Sequence, residues 1–293
     1  MKIAVIGASG FIGKNLVAYL SKKAYEVVPV YFNNPIDHPK AISYEKFINI
    51  FGKEEKAKDI EAIVFSAGSS NHNIGNKDLI DAIKRDSLYI QNIFENFEIP
   101  RAILISSAAV YYGYEGPVDE NTCPRPNVNY GISKRVGEMI FEKEIDKHQL
   151  QGIILRLTHA FGKGERETRL FRNIAKAIMS GKPISIHGGG ESYINPVSVE
   201  FLCQVVEYFI TSKLSNKVEY YNVGSAKEIK VKEIVQKLKE KFDFEYIFTG
   251  EEKQPVRFIT KVEKIAELGL AFHNVIESVE NYINLIIEES DKI

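Results

Sequence analysis

This 293-residue sequence has few cysteines, no tryptophan and no long apolar run. Its two cysteines, Cys123 and Cys203, are far apart in sequence and predict no disulfide framework. The six histidines show no ligand spacing and no cluster with cysteine, so we expect no metal site. No apolar run reaches the about 18 residues that a membrane span requires, and the opening MKIAVIG fits a strand better than a signal peptide. These absences predict a cytoplasmic protein.

An excess of charge of one sign is also missing. The chain has 38 basic and 39 acidic residues and a formal net charge of −1. Such a balance produces no overall field that would attract nucleic acid or an anionic membrane. Hydrophobic residues make up 44% of the chain and charged residues 26%, which is typical of a globular protein. We therefore expect a small molecule as the partner, and neither nucleic acid nor a membrane.

Short apolar segments alternate with amphipathic segments over the first half of the chain. The predicted strands there are Lys2–Ile6, Glu26–Phe32, Ala62–Phe65, Arg101–Ser106 and Gly152–Leu157. The predicted helices are Phe11–Lys23, Tyr44–Lys58, Asp78–Asn96 and Tyr130–His148. Alternation without hairpin signals indicates a parallel sheet with helices on both faces. The predicted fold class is therefore α/β, with a Rossmann-type doubly wound sheet.

The pattern changes after Phe161, which predicts a second unit. We assign residues 1–165 to a dinucleotide-binding domain, and residues 166–190 and 224–293 to a smaller C-terminal α+β substrate-binding lobe. Residues 191–223 should return to the main sheet as one helix and one strand. Ligands of open α/β sheets lie beyond the carboxyl ends of the strands. The active cleft should therefore lie between the sheet and the lobe.

A glycine loop joins the first strand to the first helix. Gly7, Gly10 and Gly13 have the spacing G-x-x-G-x-x-G. In a dinucleotide loop, such glycines make the turn, admit the diphosphate and allow close helix–strand packing. Free N–H groups at the helix start favour the phosphate charge. We predict dinucleotide binding over the alternative of a tight structural turn. The residues assigned to the cofactor here are Gly7, Ser9, Gly10, Phe11, Ile12 and Gly13.

The residue at the end of the second strand usually selects the cofactor, because an acidic side chain there binds the adenine ribose. By register this position is Tyr31, which we include among the cofactor contacts. Neither Asp nor Glu is present, and no Arg stands there for a 2′-phosphate. The sequence therefore predicts NAD or NADP without distinguishing them.

Tyr130 and Lys134 lie four positions apart at the start of a predicted helix, and so share one face. An ammonium group beside a phenol favours the phenolate, which suits the phenol to acid–base chemistry. Taken alone, this spacing is more often a surface pair. Ser106 and Ser107 end a buried strand, where a hydroxyl can bond a substrate oxygen or simply terminate the strand.

Together these motifs resemble the extended short-chain dehydrogenase/reductase family, in its branch of NAD-dependent nucleotide-sugar epimerases, dehydratases and ketoreductases. The matching segments, in order, are the glycine loop, Ser106–Tyr111, Val118–Glu120, Tyr130–Lys134, Ile154–Gly162, Pro183–Val197 and Glu267–Leu270. The resemblance implies that Ser107 supplies a hydroxyl that bonds the substrate and that Tyr130 is the general acid–base residue. It implies that Lys134 holds the nicotinamide ribose and tunes Tyr130.

The resemblance also suggests ligand contacts elsewhere. Further residues predicted at the cofactor are Ser66, Ala67, Gly68, Ser106, Tyr130 and Lys134. Residues predicted at the substrate are Ser69, Tyr111, His159, Arg169 and Arg257. Departures from the family fall on the substrate side, such as Tyr112 at a usual Gly and His159 at a usual Asn. They leave the sugar and its nucleotide open.

The resemblance implies an epimerase or ketoreductase acting on a sugar that is linked to a nucleotide, as in the family. Dehydratases of the family carry Thr-Asp-Glu where this chain has Ser107-Ala108-Ala109, and neither alanine can supply the extra acid or base. A dehydratase is therefore disfavoured. The alternative is a non-catalytic dinucleotide-binding sensor or scaffold on the same fold. The resemblance further implies a homodimer formed through the helices Asp78–Asn96 and Tyr130–His148.

Overall fold

A computed structural model describes residues 1–52, 59–68, 72–213, 217–251 and 255–290. The strands are β1 (Lys2–Ile6), β2 (Glu26–Tyr31), β3 (Ile42–Ser43), β4 (Ala62–Phe65), β5 (Arg101–Ser107), β6 (Glu115–Val118), β7 (Gln151–Leu157), β8 (His159–Phe161), β9 (Ile184–His187), β10 (Tyr193–Ile194), β11 (Pro196–Ser198), β12 (Val218–Val223), β13 (Ile229–Lys230), β14 (Tyr246–Thr249) and β15 (Arg257–Thr260). The helices are α1 (Phe11–Ser21), α2 (Tyr44–Phe51), α3 (Leu79–Asn96), α4 (Asn129–His148), α5 (Leu170–Ser180), α6 (Val199–Thr211), α7 (Val231–Lys239), α8 (Glu263–Ala266) and α9 (Val275–Ser290). Among the described residues, Asn76–Asp78 and Ala108–Tyr111 form 3-10 helices.

Seven strands form one parallel sheet in the order β12-β7-β5-β4-β1-β2-β3. Alternate residues of β1 face opposite sides: Ile3 and Val5 join a core with α1 and α6, whereas Ala4 and Ile6 join a core with α2, α3 and α4. Burial on both faces explains why these strands are continuous apolar runs. The predicted doubly wound α/β fold is confirmed.

The chain returns to the main sheet late in the sequence, as the pattern predicted. Strand β12 pairs with β7 in parallel, and α6 packs beside α1. Between and after these elements, α5, β9, α7, β14 and α9 form a separate apolar core. This distribution supports the proposed division into a dinucleotide-binding domain and a smaller lobe, and the boundary at residue 165 stays a prediction.

Several short strands had no signal in the sequence. Strand β6 lies between the predicted strand Arg101–Ser106 and the predicted helix Tyr130–His148, and it pairs in parallel with β15 from the end of the chain. The sequence of β6 is EGPV, and glycine and proline are depleted in strands. Helix α2 ends at Phe51, and residues 53–58 of the predicted helix Tyr44–Lys58 lie outside the described residues. None of the helices described combines the length and apolar character of a membrane span.

Candidate active site

A cavity of about 400 Å³ lies at the carboxyl ends of β1, β4, β5 and β7. The main sheet and α4 supply one side of this cavity. Residues from the connection between β8 and α5, and from β10 and β15, supply the other side. This is the cleft that the strand order predicts between the sheet and the smaller lobe.

The glycine loop has the shape that a dinucleotide requires. Gly7 has φ +89°, and a Cβ there would lie 2.5 Å from the backbone nitrogen of Ala67. A Cβ on Gly13 would lie 2.2 Å from the carbonyl oxygen of Gly7. Only glycine therefore fits at these two positions. Half-buried Ser9 lies in the turn between them, and Tyr31 ends β2 beside the loop.

The first turn of α1 leaves its amides available to a ligand. Gly10 occupies the N-cap without a side-chain hydrogen bond, and no acidic residue lies in the first turn. Gly10, Phe11 and Ile12 line the cavity. An uncapped helix N-terminus facing a cavity favours a phosphate group. These residues therefore fit the diphosphate of a dinucleotide.

The segment after β4 approaches the same site through its backbone. Ser66 lines the cavity, and its hydroxyl donates to the carbonyl of Ile6 at 2.8 Å. Gly68 has φ +147°, and a Cβ there would lie 2.5 Å from Lys134 Nζ. The close approach of Gly68 to Lys134 thus depends on glycine. Ser69, a predicted substrate contact, lies outside the described residues.

Lys134 is buried and held by α3. Its Nζ lies 3.2 Å from Asp86 Oδ1, and the Ser133 hydroxyl donates to the other oxygen of Asp86. The ammonium lies 5.6 Å from the centroid of the Tyr130 ring. Burial lowers the pKa of Lys134, but the charges of Tyr130 and Asp86 outweigh this effect and raise it. Lys134 is therefore a permanent cation next to Tyr130 at neutral pH.

Tyr130 and Ser107 both line the cavity, with hydroxyls placed for a ligand. Within the described part of the chain, the Tyr130 hydroxyl has no hydrogen-bond partner, although the residue is only 7% exposed. Ser107 Oγ accepts from the amide of Ala109 at 3.1 Å, which leaves its own proton to donate. Ser106 also lines the cavity, but its hydroxyl donates to Glu138 Oε1 at 2.7 Å. Of the two serines, Ser107 is therefore the one able to bond a substrate oxygen.

A buried ion pair holds α4 against the sheet. Arg156 donates to both oxygens of the Glu138 carboxylate, at 3.0 Å each. Arg156 lies opposite Ser106 in the pairing of β5 with β7. Glu138 follows Tyr130 and Lys134 at spacings of eight and four, so all three share one face of α4. Sequence reasoning missed Glu138 and Asp86, although the four-residue spacing beyond Lys134 was a usable signal for Glu138.

Two of the predicted substrate contacts, Tyr111 and Arg257, lie outside the lining of the cavity. Tyr111 is fully buried below the cavity, where its hydroxyl accepts from Arg156 at 2.7 Å and lies 3.0 Å from Asn222 Oδ1. Its ring completes the core and does not line the cavity. Arg257 points outward with its side chain 61% exposed, 3.7 Å from Glu115. Strand alternation turns its neighbours Val256 and Phe258 toward the cavity instead.

We give the name lobe wall to three residues on the opposite side of the cavity, His159, Glu165 and Arg169. Arg169 Nη2 lies 3.4 Å from Nε2 of His72, and the ring of His72 lies against that of Tyr130 with centroids 4.3 Å apart. His72 therefore links the lobe wall to Tyr130. Two predicted substrate contacts, His159 and Arg169, thus line the cavity together with Ser107, Tyr130 and Lys134.

Burial strongly affects two side chains of the lobe wall. Burial, and then the charges of His72 and Arg169, lower the pKa of His159 to about 4. Burial raises the pKa of Glu165 to about 7. Counting only described residues, His159 Nδ1 and Glu165 Oε1 are buried without a hydrogen-bond partner. Sequence reasoning missed Glu165, although a charged residue soon after the end of a predicted strand was a usable signal.

Metal-ligating side chains do not cluster in the part of the chain that the structure describes. In those residues, His, Cys, Asp and Glu form no group of three or more suited to a metal ion. The polar groups at the cavity are instead those of acid–base and hydrogen-bonding chemistry.

Several known proteins are similar to this chain over most of its length. A putative UDP-glucose 4-epimerase from Methanocaldococcus jannaschii is 26% identical over 291 residues, covering 91% of this chain and 92% of the relative. A dTDP-4-dehydro-6-deoxyglucose reductase from Escherichia coli is 23% identical, covering 82% of each chain. Among solved structures, MoeE5 in complex with UDP-glucose and NAD has a TM-score of 0.85 at 21% identity, covering 99% of both chains.

The family model agrees with the resemblance that the motifs carry. The model of the NAD dependent epimerase/dehydratase family matches residues 3–224, which include the glycine loop, Ser107, Tyr130 and Lys134. The prediction of a nicotinamide dinucleotide cofactor is thereby confirmed at the level of the family. From its sequence motifs, its fold and the match over most of its length, the chain belongs to the NAD dependent epimerase/dehydratase family.

Proposed function

We propose that this chain is an NAD-dependent epimerase or ketoreductase that acts on a nucleotide-linked sugar, with Tyr130 as its acid–base residue. The observation that carries the proposal is the convergence of Ser107, Tyr130 and Lys134 on one cavity beside the glycine loop. A cofactor-binding scaffold without chemistry has no need of two available hydroxyls beside a buried ammonium.

The side chains suggest how a secondary hydroxyl would react. When bound, the dinucleotide supplies the hydride acceptor and donor. Tyr130 takes the hydroxyl proton during oxidation and returns one during reduction. Lys134 favours the phenolate that this exchange requires, and Asp86 keeps the ammonium in place. Ser107 donates its free proton to the sugar oxygen, where negative charge develops.

The residues after Ser107 bear on which reaction of the family this chain performs. Ala108 and Ala109 line the cavity after Ser107, and neither can supply the second acid and base that elimination of water requires. A dehydratase is therefore disfavoured. An epimerase retains its dinucleotide and returns the hydride to the other face of a keto sugar, whereas a ketoreductase exchanges its dinucleotide in each cycle.

Relatives support a nucleotide-linked substrate. One relative is named as an epimerase of UDP-glucose, another as a reductase of a dTDP-linked sugar. For the cofactor we propose NAD over NADP, because Phe32 and the asparagines after Tyr31 offer no cation to a 2′-phosphate, and Phe32 stacks on Tyr44 with ring centroids 4.7 Å apart.

The test begins with mass spectrometry of the small molecules that are released from protein purified in its native state. NAD that survives gel filtration, together with interconversion of UDP-glucose and UDP-galactose, would establish an epimerase. Loss of the dinucleotide, with its consumption in the presence of a nucleotide-linked 4-keto sugar, would establish a ketoreductase. A protein that binds NAD but turns over none of these sugars would contradict the proposal and favour the sensor or scaffold.

We also propose a homodimer through α3 and α4. Large apolar side chains stand out on these helices, with Ile80 60% exposed, Leu88 56% and Met139 54%. Burial of such side chains against a second copy would remove an exposed apolar face. Light scattering at micromolar concentration should give a dimer, and Leu88→Lys should shift it toward monomer. A monomeric wild-type protein would contradict this.

A further inference from the structure

Three aromatic rings lie together beside the glycine loop, and the proposed chemistry does not use them. Phe32 follows β2, Tyr44 begins α2 and Tyr89 lies on α3. The ring of Phe32 stacks on that of Tyr44, with centroids 4.7 Å apart and an interplanar angle of 22°. It meets the ring of Tyr89 edge-on, with centroids 5.7 Å apart. We call these three residues the aromatic platform, and none of the three is part of the cavity lining.

Hydrogen bonds hold the aromatic platform at the carboxyl edge of the sheet. The amide of Gly7 donates to the carbonyl of Val30, two residues before Phe32, at 2.9 Å. The hydroxyl of Tyr89 donates to the carbonyl of Ala67 at 2.8 Å. Ala67 is also the residue that a Cβ on Gly7 would meet. The platform is therefore joined to the end of β2 and to the segment after β4, which flank the glycine loop on its two sides.

Tyr44 supports Phe32 and has its own polar partners. Its hydroxyl donates to the carbonyl of Tyr89 at 3.3 Å and accepts from Nδ2 of Asn92 at 2.9 Å. Phe32 itself is 38% exposed. Because Tyr44 covers one face of the Phe32 ring, the exposed area leaves the rest of that ring open to a second flat group.

The strand order separates the two halves of a bound dinucleotide. Strands β4 and β5 lie on one side of β1, and β2 and β3 lie on the other. Ser107 ends β5 and shares the cavity with Tyr130 and Lys134. With the diphosphate at the glycine loop, the nicotinamide should reach these residues on the side of β4 and β5. The adenosine half should then lie over β2 and β3, on the side of the aromatic platform.

We propose that Phe32, supported by Tyr44, is the surface on which the adenine of the dinucleotide stacks. This inference rests on the cofactor of the family and is independent of the proposed reaction. The residue at the end of the second strand of such a sheet lies at the adenine ribose, and here it is Tyr31. The ring of the next residue, Phe32, therefore meets the base that this ribose carries.

Stacking suits a position that has no carboxylate for the ribose. Neither Tyr31 nor Phe32 can accept hydrogen bonds from both ribose hydroxyls as an acidic side chain does. A base stacked on an aromatic side chain contributes about 5- to 150-fold to affinity, and this contact needs no carboxylate. The base thus supplies affinity that the ribose contact provides in sheets with an acidic residue at this position.

The test measures the affinity for NAD and for ADP-ribose, which has the adenine but lacks the nicotinamide. Phe32→Ala should weaken both ligands by the same factor, about tenfold or more, as loss of one stacked base would. Phe32→Leu still covers Tyr44 but has no aromatic face, and it should weaken both by about fivefold. Phe32→Tyr keeps the ring and should stay within about twofold of wild type. Phe248→Ala is the matched control, since Phe248 is 37% exposed on β14, and it should change neither affinity.

Equilibrium dialysis gives the dissociation constants, and exchange against labelled NAD gives the same comparison if NAD stays bound through purification. Affinities of Phe32→Leu and Phe32→Ala within about twofold of wild type would overturn the inference, and Phe32→Leu decides alone if Phe32→Ala does not fold. A loss seen with NAD but not with ADP-ribose would also overturn it, because the effect would then lie at the nicotinamide. Since no turnover is measured, an inactive protein that shows the expected losses would contradict the proposed function and leave this inference standing.

Discussion

The two sides of the cavity satisfy their polar groups very differently. On the α4 side, Lys134 is paired with Asp86, and Glu138 accepts two hydrogen bonds from Arg156. On the lobe wall, His159 Nδ1 and Glu165 Oε1 are buried without a partner among the described residues. Buried polar atoms normally have partners, and each one that lacks a partner calls for an explanation. The charged side chains of the α4 side are therefore paired before a ligand binds, whereas the lobe wall keeps two buried polar atoms without a hydrogen bond.

We infer from this difference that the α4 side serves proton transfer and the lobe wall serves substrate recognition. A proton-transfer residue must be held in one position, and the paired charges along α4 do that before any substrate arrives. Recognition of a substrate instead gains from groups that are unsatisfied until the substrate binds. Substitutions on the α4 side should therefore affect turnover or stability, and those on the lobe wall should affect KM and its dependence on the sugar.

The largest effect should come from Tyr130→Phe. The change removes only the hydroxyl, so turnover should fall by about a thousandfold, within the range for loss of a general acid–base group. Affinity for NAD, measured by fluorescence titration, should change less than twofold, because the glycine loop is untouched. Turnover that survives the change would show that another group moves the proton. The matched control is Tyr114→Phe, which loses a hydroxyl outside the cavity.

The second largest effect should come from breaking the buried ion pair of Arg156 and Glu138, which should lower the free energy of unfolding. Glu138→Leu should lower the free energy of unfolding by about 3–5 kcal/mol, because Arg156 stays buried without its counter-charge. The double change Glu138→Leu/Arg156→Met should recover most of this loss, since it removes both buried charges. Urea unfolding of the two variants measures the difference. Equal losses in both would show that packing, and not the ion pair, holds α4 against the sheet.

The two sides of the cavity also differ in how well the sequence predicts them. Strands β1 and β4 have the predicted ends, because their apolar residues are buried on both faces and stop at turn residues. The glycine loop and the Tyr130–Lys134 spacing are local patterns, so they were visible without a structure. The sequence thus indicated the sheet and the α4 side of the cavity.

The lobe wall and its surroundings depend on contacts that no local pattern records. Strand β6 pairs with β15 from the far end of the chain, and this pairing turns Arg257 outward. The hydroxyl of Tyr111 accepts a hydrogen bond from the buried Arg156 of β7, which holds it in the core. At both positions a distant segment sets the orientation of the side chain, whereas spacing within one element is enough on α4.

Ionisation of the buried Glu165 should lower the free energy of unfolding as pH rises. Its folded pKa of about 7 lies above its ordinary value of 4.5, so the folded protein holds this proton to higher pH than the unfolded chain. Stability is therefore lost as pH rises from about 4.5 to 7, by at most about 3 kcal/mol. Glu165→Gln should stabilise the protein at pH 8 and change it little at pH 4.5, as urea unfolding at both values would show.

Glu167→Gln is the control of opposite sign. Hydrogen bonding by Lys176 lowers the pKa of this exposed carboxyl, so its stabilisation is present at pH 8 and lost in acid. Glu167→Gln should therefore weaken the protein slightly at pH 8. A Glu165→Gln variant that behaves like Glu167→Gln would show that Glu165 is ionised and paired, and would remove one of the two unsatisfied groups from the lobe wall.

The smallest effects come from a matched pair of arginines. Arg169 lines the cavity, and its Nη2 lies 3.4 Å from His72 Nε2. Arg169→Ala should raise KM for the nucleotide sugar by about tenfold, as loss of a hydrogen bond from a charged group would. Arg257→Ala should leave KM within about twofold and cost less than about 1 kcal/mol, because its ion pair with Glu115 is exposed. Steady-state kinetics of the two variants measures the contrast. A tenfold rise in KM for Arg257→Ala would mean that β15 turns this side chain inward when substrate binds, and that the lobe wall extends beyond the three residues that form it without a ligand.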